Sequence, residues 1–158
     1  MAWSGKEVSR WIKNISPENI QPNGVDLTVA EVYQFKDVGL LTISKRKIPE
    51  YKILDDQIWH LPPGAYLVRY GEYIKIPANA IGIVFPRSSL LRMGATIYTA
   101  VWDSGYEGRG VGLLHVFNPH GIKIERGAKI AQIIFISARS SGKYSGIWKG
   151  EGKNQSSK

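Results

Sequence analysis

Short apolar runs that alternate with polar residues recur along this chain from about Val25 onward, separated by glycine, proline and asparagine. A period of two places alternate side chains on opposite faces of a strand. Strands this short and this regularly spaced are typical of a β-sandwich, a β-barrel or a jelly roll. We therefore predict an all-β fold, with strands at 26–35, 40–43, 58–61, 64–70, 73–76, 80–85, 96–101, 109–118, 122–125 and 128–137.

The two ends of the chain differ from this pattern. Ser4 and Glu7 have the spacing of a capping box, which predicts a short N-terminal helix over 4–13. After Arg139 the composition shifts to serine, glycine and lysine, which predicts a flexible C-terminal arm. We expect a β domain that includes the N-terminal helix at residues 1–139, followed by the arm at residues 140–158.

Composition excludes several classes of protein. The 158 residues suit one domain, and the absence of cysteine excludes disulfides, thiolate metal sites and the cysteine-ligated zinc deaminases. No apolar run reaches about 18 residues and the N-terminus has no signal segment, so we expect a cytoplasmic protein. The formal net charge of +8 admits single-stranded nucleic-acid binding. The positive charges are spread along the chain, however, and a small polyanion such as a nucleoside triphosphate would use them equally.

The segment Pro86–Arg92 has the residue types of a phosphate site. Arg87 and Arg92 follow an apolar strand, and guanidinium groups form paired hydrogen bonds with phosphate oxygens. Ser88 and Ser89 add uncharged donors. The alternative is that two surface arginines flank an ordinary helical turn.

Asp103 lies eleven residues after Arg92 and directly before Ser104-Gly105, a natural hairpin turn. A carboxylate there, with Tyr106 close by, could act as a general base toward a bound water, a role worth about 10²–10⁴-fold in rate. Aspartate before Ser-Gly is also an ordinary turn former. The residues alone leave both interpretations open.

Other candidates are less specific. Gln132 is a polar amide within an apolar strand and should share a face with Ile130, so it needs a partner in the protein or in a ligand. Tyr144 and Trp148 lie in the glycine-rich tail and could stack on a base, although the tail could also serve only solubility. The three histidines lack the spacing of metal ligands.

Five segments in this order resemble the motifs of the superfamily of dUTP pyrophosphatases and metal-independent dCTP deaminases. The resemblance is greatest to the archaeal dUTPase branch and spans nearly the whole chain. The segments are Gln21–Leu27, Pro86–Leu90, Asp103–Gly108, Arg126–Gln132 and a diverged fifth motif, Gly142–Gly152.

The resemblance implies a distorted jelly roll that forms a homotrimer, with active sites between subunits. In this family's reaction Asp103 would be the general base that directs water onto the α-phosphorus of dUTP, releasing dUMP and pyrophosphate. Tyr106 would pack against the deoxyribose, where a 2′-hydroxyl would clash. Such a dUTP diphosphatase removes dUTP from the DNA precursor pool and supplies dUMP for dTMP synthesis.

The resemblance also implies the remaining contacts. Mg²⁺ would be held mainly by the phosphates, with Asp26 acting on it through water. The tail aromatics would be candidates for stacking on the base. The residues expected to bind substrate are Arg87, Ser88, Ser89, Arg92, Tyr106, Gln132, Tyr144 and Trp148.

Two departures from the family pattern bear on the reaction. Asp103-Ser104-Gly105-Tyr106 replaces the Asp-x-Asp-Tyr of ordinary trimeric dUTPases, and the second motif is deaminase-like. A deaminase of this family also needs a glutamate on the strand at 109–118, which contains no carboxylate; His115 lies nearest that position. We therefore favour a pyrophosphatase. The alternatives are a dCTP deaminase, with or without dUTPase activity, and a β-barrel module that binds single-stranded nucleic acid.

Overall fold

The computed structural model describes residues 1–153 and consists mainly of β-strands. The helical elements are α1 (Gly5–Ser9), a 3₁₀ turn (Pro17–Asn19) and α2 (Ser88–Arg92). The strands are β1 (Ile12–Lys13), β2 (Ile20–Gln21), β3 (Gly24–Phe35), β4 (Leu40–Leu41), β5 (Arg46–Lys47), β6 (Tyr51–Leu54), β7 (Ile58–Leu61), β8 (Gly64–Tyr70), β9 (Tyr73–Lys75), β10 (Ala80–Pro86), β11 (Ala95–Tyr98), β12 (Glu107–Gly108), β13 (Val111–Val116), β14 (Ile122–Glu125) and β15 (Lys129–Ser137).

The principal sheet is antiparallel and runs in the order β10-β15-β3-β8-β13-β11, with β2 and β6 also paired to β3. Strand β3 has 12 residues and pairs with β15 through its first half and with β8 and β6 through its second half. The ends of this order approach one another where Gly82 of β10 bridges to Trp102. The sheet is therefore nearly closed into a barrel, which confirms the all-β prediction.

Alternation along the strands produces the core. Buried side chains of β15 include Ala131, Ile133 and Phe135, and those of β13 include Leu114 and Val116. Most of these positions are β-branched or aliphatic, and burying one such side chain contributes roughly 1.5–3 kcal/mol. The apolar alternation read from the sequence therefore corresponds to a single interior.

The N-terminal helix forms as predicted but is shorter. Ser4 accepts a hydrogen bond from the Glu7 amide, and the Glu7 carboxylate accepts one from the Ser4 amide at 2.8 Å. The helix ends at Ser9 rather than near Lys13 because Ile12 and Lys13 pair with β9 instead. No helix among residues 1–153 combines the length and apolar character needed to cross a bilayer.

A buried carboxylate links β3 to the turn before β9. Glu72 is 2% exposed and accepts hydrogen bonds from the Thr28 amide at 2.9 Å and from the Thr28 hydroxyl at 2.8 Å. Burial raises the pKa of Glu72 above its ordinary value of 4.5, an effect that the two hydrogen bonds from Thr28 only partly offset. Strand β9 in turn pairs with β12, so this contact supports the segment that follows Asp103.

Glu72→Gln should change how stability depends on pH. Because folded Glu72 holds its proton to a higher pH than the unfolded chain does, its contribution to stability falls as pH rises from about 4.5 through the raised pKa. A glutamine can satisfy Thr28 without carrying charge. We therefore expect the free energy of unfolding of the wild type, relative to that of the variant, to decline as the pH rises through this interval. Urea titrations at a series of pH values measure it.

The matched control is Glu18→Gln. Glu18 is exposed, and hydrogen bonds lower its pKa. The free energy of unfolding of the wild type, relative to Glu18→Gln, should therefore rise with pH instead of falling. Parallel pH profiles for the wild type and Glu72→Gln would contradict the assignment of a raised pKa to Glu72.

Candidate active site

A cavity of about 620 Å³ lies beside the loop that connects β11 to β13. Its wall includes Asp103, Tyr106, Tyr144, Trp148 and Glu151. The structure thus brings together four residues expected from the sequence to belong to one site, two from the loop and two from the tail. Glu151, the fifth residue, was not expected.

The loop is anchored on both sides of Asp103. The backbone of Trp102 exchanges two hydrogen bonds with β10, at 2.9 and 3.0 Å, and the buried Ser104 hydroxyl donates to the Ala80 carbonyl at 2.7 Å. Gly105 has a φ of 81°, a left-handed conformation that glycine adopts without steric cost. Between these anchors the Asp103 side chain is exposed. The predicted turn therefore presents the carboxylate at the edge of the cavity.

Tyr106 forms a buried part of the wall and is 7% exposed. Its ring meets Trp102 and Tyr144 edge to face, with centroids 5.1 and 5.7 Å away, and its hydroxyl donates to Glu151 Oε1 at 2.7 Å. Burial raises the pKa of Tyr106, and the hydrogen bond to the Glu151 carboxylate raises it further. The hydroxyl therefore remains a donor at physiological pH.

Two carboxylates and two guanidinium groups lie in and directly behind this wall, and we call them the four-charge cluster: Glu31, Arg69, Arg109 and Glu151. Glu31 lies 3.4 Å from Arg69 and 3.5 Å from Arg109, and Arg69 lies 3.6 Å from Glu151. Tyr33 also donates a hydrogen bond to Glu31. The sequence analysis missed this cluster. The only sign of it in the sequence was that Glu31 and Arg69 are charged residues within otherwise apolar strands.

A second group of predicted site residues lies on β2, β3 and β15 and at the N-cap of α2, and we call it the Asp26 cluster: Gln21, Asp26, Arg87 and Gln132. Asp26 Oδ2 lies 3.1 Å from Arg87 Nη1 and accepts a hydrogen bond from Gln21 Nε2 at 2.8 Å. Asp26 is 1% exposed, and burial raises its pKa more than the opposing effects of Arg87, Lys129 and Gln21 lower it.

Gln132 belongs to this cluster but not in the expected orientation. It pairs with Asp26 in the ladder to β3, and its Nε2 atom lies close to the Gly24 backbone. Ile130 is buried whereas Gln132 is partly exposed, so the two do not share a face as predicted. The reason is a register shift between Lys129 and Ala131 that interrupts the alternation. Within residues 1–153 the Gln132 side chain has no hydrogen-bond partner, which makes it available to a ligand.

The other residues of the second motif lie on α2. Ser88 and Ser89 occupy its first positions and Arg92 its last turn, and all three are exposed. Arg87 is the N-cap residue, and its side chain turns back to Asp26. The short helix therefore follows the Asp26 cluster directly in the chain and presents exposed hydroxyl and guanidinium donors.

The two groups of residues are separate within one chain. No hydrogen bond or ion pair in the described part of the chain joins Asp103 or Tyr106 to the Asp26 cluster. Strand β3 contributes Asp26 to the Asp26 cluster and Glu31 to the four-charge cluster. The two residues are five positions apart, which corresponds to roughly 16 Å along a strand. A single chain thus presents two partial sites rather than one continuous pocket.

Comparison with known proteins places these features in context. A family model described as dCTP deaminase-like matches residues 4–138. The deoxyuridine 5′-triphosphate nucleotidohydrolase of Methanocaldococcus jannaschii is 47% identical over 144 residues, which cover 87% of this chain and 91% of the relative.

Two solved structures share the fold. A 2′-deoxycytidine 5′-triphosphate deaminase from Agrobacterium tumefaciens has a TM-score of 0.66 at 20% identity, over 85% of this chain and 47% of the deaminase. A mutant dUTPase of Staphylococcus bacteriophage 80alpha with dUpNHpp has a TM-score of 0.50 at 17% identity, over 86% of this chain and 95% of the dUTPase. The predicted jelly-roll fold is confirmed.

The wall of the cavity yields a stability prediction. The buried hydroxyl of Tyr70 has no hydrogen-bond partner within residues 1–153, and a Cβ added at Gly112 would lie 2.4 Å from it. We expect Gly112→Ala to lower the free energy of unfolding by about 1–3 kcal/mol through this overlap. Tyr70→Phe should leave stability unchanged or raise it by about 1 kcal/mol, since the unpaired hydroxyl is removed.

A Cβ at Gly112 would also lie 2.8 Å from Ile97 Cγ2. The double variant Gly112→Ala/Tyr70→Phe relieves only the overlap with the hydroxyl, so it should regain part of the stability that Gly112→Ala loses. Gly142→Ala is the control, since no atom lies within 4 Å of a Cβ there. Chemical denaturation of the four variants measures the effect. Additive losses in the double variant would show that the hydroxyl is not the obstacle.

Proposed function

Because the chain belongs to the dCTP deaminase-like family, we propose that it is a dUTP diphosphatase, which hydrolyses dUTP to dUMP and pyrophosphate. The observation that carries the proposal is the pairing of Asp103 and Tyr106 on one cavity wall, next to a strand, β13, that has no carboxylate. The relative from M. jannaschii, named as a dUTP nucleotidohydrolase, supports the same activity. Such an enzyme lowers the dUTP available to DNA synthesis and supplies dUMP for dTMP synthesis.

In this proposal Asp103 is the general base. Its carboxylate is exposed at the cavity edge and held by a loop that is bonded to β10 on both sides. Asp103 accepts a proton from a water molecule while the water oxygen forms a bond to the α-phosphorus. The bond from the α-phosphorus to the bridging oxygen breaks, and pyrophosphate leaves with those electrons. A rigid loop suits this task because the base must stay within hydrogen-bonding distance of the water.

Tyr106 selects the sugar. Its ring is held by edge contacts with Trp102 and Tyr144 and by the hydrogen bond to Glu151. A deoxyribose packed against this ring leaves no room for a 2′-hydroxyl. The remaining tail aromatic, Trp148, lines the same cavity and is the candidate for stacking on the base.

The Asp26 cluster and α2 hold the phosphates. Within the Asp26 cluster, Arg87 provides a guanidinium and Gln132 an amide, and α2 adds exposed hydroxyl and guanidinium groups. These donors suit the negative oxygens of a triphosphate. The residues assigned to the phosphates are Arg87, Ser88, Ser89, Arg92 and Gln132.

The donor set near Asp26 fits an Mg²⁺ ion that is carried mainly by the substrate. The cluster contains one carboxylate, and residues 1–153 contain no group of three or more histidine, cysteine, aspartate or glutamate side chains that could hold a metal. Mg²⁺ commonly retains several waters and binds through substrate phosphates. Asp26 would act on the ion through water, and the bound ion would neutralise phosphate charge.

The separation of the two partial sites supports a homotrimer with shared active sites. Asp103 and Tyr106 of one subunit would face the Asp26 cluster of a neighbour. Contacts of this head-to-tail kind close into a ring when the rotation between subunits permits. Each trimer would then contain three equivalent sites.

Asp103→Asn should abolish most of the hydrolysis. The amide preserves the shape of the side chain but cannot accept the proton of the water, so kcat should fall by about 10²–10⁴-fold. Chromatography of products formed from dUTP, UTP and dCTP, with and without Mg²⁺, is the measurement. Asp56→Asn, at another exposed aspartate, should retain wild-type turnover.

Wild-type turnover in folded Asp103→Asn would remove Asp103 from the mechanism. Formation of dUTP or dUMP from dCTP by the wild type would instead make the protein a deaminase, despite the absence of a carboxylate on β13.

Subunit mixing tests the shared site. Asp103→Asn and Arg87→Ala damage different partial sites, so each should be inactive alone. When the two are co-refolded at equal amounts, about a quarter of all sites in the random mixture combine an intact Asp103 with an intact Arg87 from a neighbour, because about three quarters of the trimers are mixed and each of these has one such site in three. We expect about that fraction of wild-type dUTP hydrolysis. Failure to regain activity in confirmed mixed trimers would show that each subunit builds its own site.

A further inference from the structure

The tail is fixed beside Tyr106 by backbone hydrogen bonds. The Tyr144 amide donates to the Ser104 carbonyl at 2.7 Å, and the Gly150 amide donates to the Glu107 carbonyl at 2.6 Å. The Arg109 amide in turn donates to the Glu151 carbonyl at 2.9 Å. Contacts with the tail thus occur both before and after Tyr106 in the sequence.

The tail packs so closely against the segment that follows Tyr106 that this segment needs a glycine at position 108. A Cβ added at Gly108 would lie 3.0 Å from the Glu151 carbonyl oxygen and 3.0 Å from the Tyr106 hydroxyl. A side chain at this position would therefore press on the tail and on Tyr106 together. Because Gly108 has no side chain, the Glu151 carboxylate can reach the Tyr106 hydroxyl.

Glu151 also connects Tyr106 to buried charge. Its Oε1 accepts the Tyr106 hydrogen bond, and its Oε2 faces Arg69, whose guanidinium is held by Glu31 and by a 2.6 Å hydrogen bond to the Arg109 carbonyl. The Glu151 side chain is 16% exposed. Because Arg69 is fixed from several sides, the position of the Glu151 carboxylate is fixed as well, and it holds the end of the Tyr106 ring in place.

We infer that Glu151 is a positioning residue that fixes Tyr106 and thereby determines how strongly the site prefers a deoxyribose to a ribose. The inference rests on the proposed function, in which the Tyr106 ring packs against the sugar. A ring fixed at its hydroxyl end cannot tilt to admit a 2′-hydroxyl, whereas a ring held only at its edges can. Glu151 acts on sugar selectivity and not on the attack at phosphorus, where Asp103 is the base.

The test compares kcat/KM for dUTP and UTP across variants of this contact. Glu151→Ala should lower the dUTP-to-UTP ratio by about tenfold or more, mainly through improved use of UTP. Glu151→Gln keeps an oxygen acceptor for the Tyr106 hydroxyl and should stay within about threefold of the wild-type ratio. Tyr106→Phe should lower the ratio as Glu151→Ala does, and the double variant should lose nothing further, since both remove the same hydrogen bond.

The matched control is Glu107→Ala. Glu107 lies on the same segment and its carboxylate contacts Tyr73 and Lys153 but not Tyr106. This substitution should leave the dUTP-to-UTP ratio of kcat/KM unchanged. Binding of dUpNHpp and its ribonucleotide counterpart, measured by calorimetry, provides a second readout of sugar preference that does not depend on turnover, and thermal melting confirms that each variant is folded.

The outcomes separate the two proposals. If the wild type neither hydrolyses dUTP nor prefers it to UTP, the proposed function fails and this inference fails with it. If the wild type shows both properties but Glu151→Ala lowers dUTP and UTP turnover equally, Glu151 has only a structural role and the inference alone is overturned. Loss of the preference in Glu151→Ala with its recovery in Glu151→Gln supports positioning.

Discussion

The pairing of β3 with two sets of neighbours is the constraint on which the rest of the structure depends. Its first half pairs with β15 and carries Asp26, and its second half pairs with β8 and carries Glu31. One continuous strand therefore fixes the distance between the Asp26 cluster and the four-charge cluster. Register shifts on both sides of this strand reorient side chains without interrupting it. A site assembled from these two regions must span that distance or use a second subunit.

Buried charge gives the cavity wall its rigidity at a cost in desolvation. Glu31, Arg69, Arg109 and Glu151 together carry no net charge, and each carboxylate faces at least one guanidinium. Removing one member of such a group leaves an uncompensated charge and is more destabilising than replacing the whole group. The cluster therefore favours one arrangement of β3, β8 and the tail, which is useful where an aromatic side chain must stay in place.

Local chemistry explains what could be predicted from the sequence. The capping box at Ser4 and Glu7 and the turn at Ser104-Gly105 depend on neighbouring residues, and both are present. The turn is not the expected hairpin, because its two flanking segments pair with β10 and β9 rather than with each other. The strands followed from alternation. The site residues Asp103 and Tyr106 could be named because they lie within a few positions of that turn, although their chemical roles stay predictions.

The remaining features depend on contacts between distant parts of the chain. A bulge next to Ala131 changed the face that Gln132 presents, and no local residue pattern announces that shift. Helix α1 stopped early because Ile12 has a strand partner more than sixty residues away. The contact between Tyr106 and Glu151 joins residues 45 positions apart, and glutamate in a glycine-rich tail gives no sign of such a partner. The predicted arm at 140–158 is described only to residue 153, and its last five residues lie outside the described part of the chain.

The arrangement separates two demands that a nucleotide hydrolase places on one pocket. The proposed base, Asp103, must be exposed to water, and it is exposed at the edge of an anchored loop. The residue proposed to select the sugar, Tyr106, must be dry and fixed, and it is buried three positions later among Trp102, Tyr144 and Glu151. A tight turn satisfies both demands within a few residues, because it directs successive side chains toward solvent and toward the core. The tail completes only the second of these environments, so under the proposed function its contacts would bear on which nucleotide is accepted rather than on how the phosphate bond is broken.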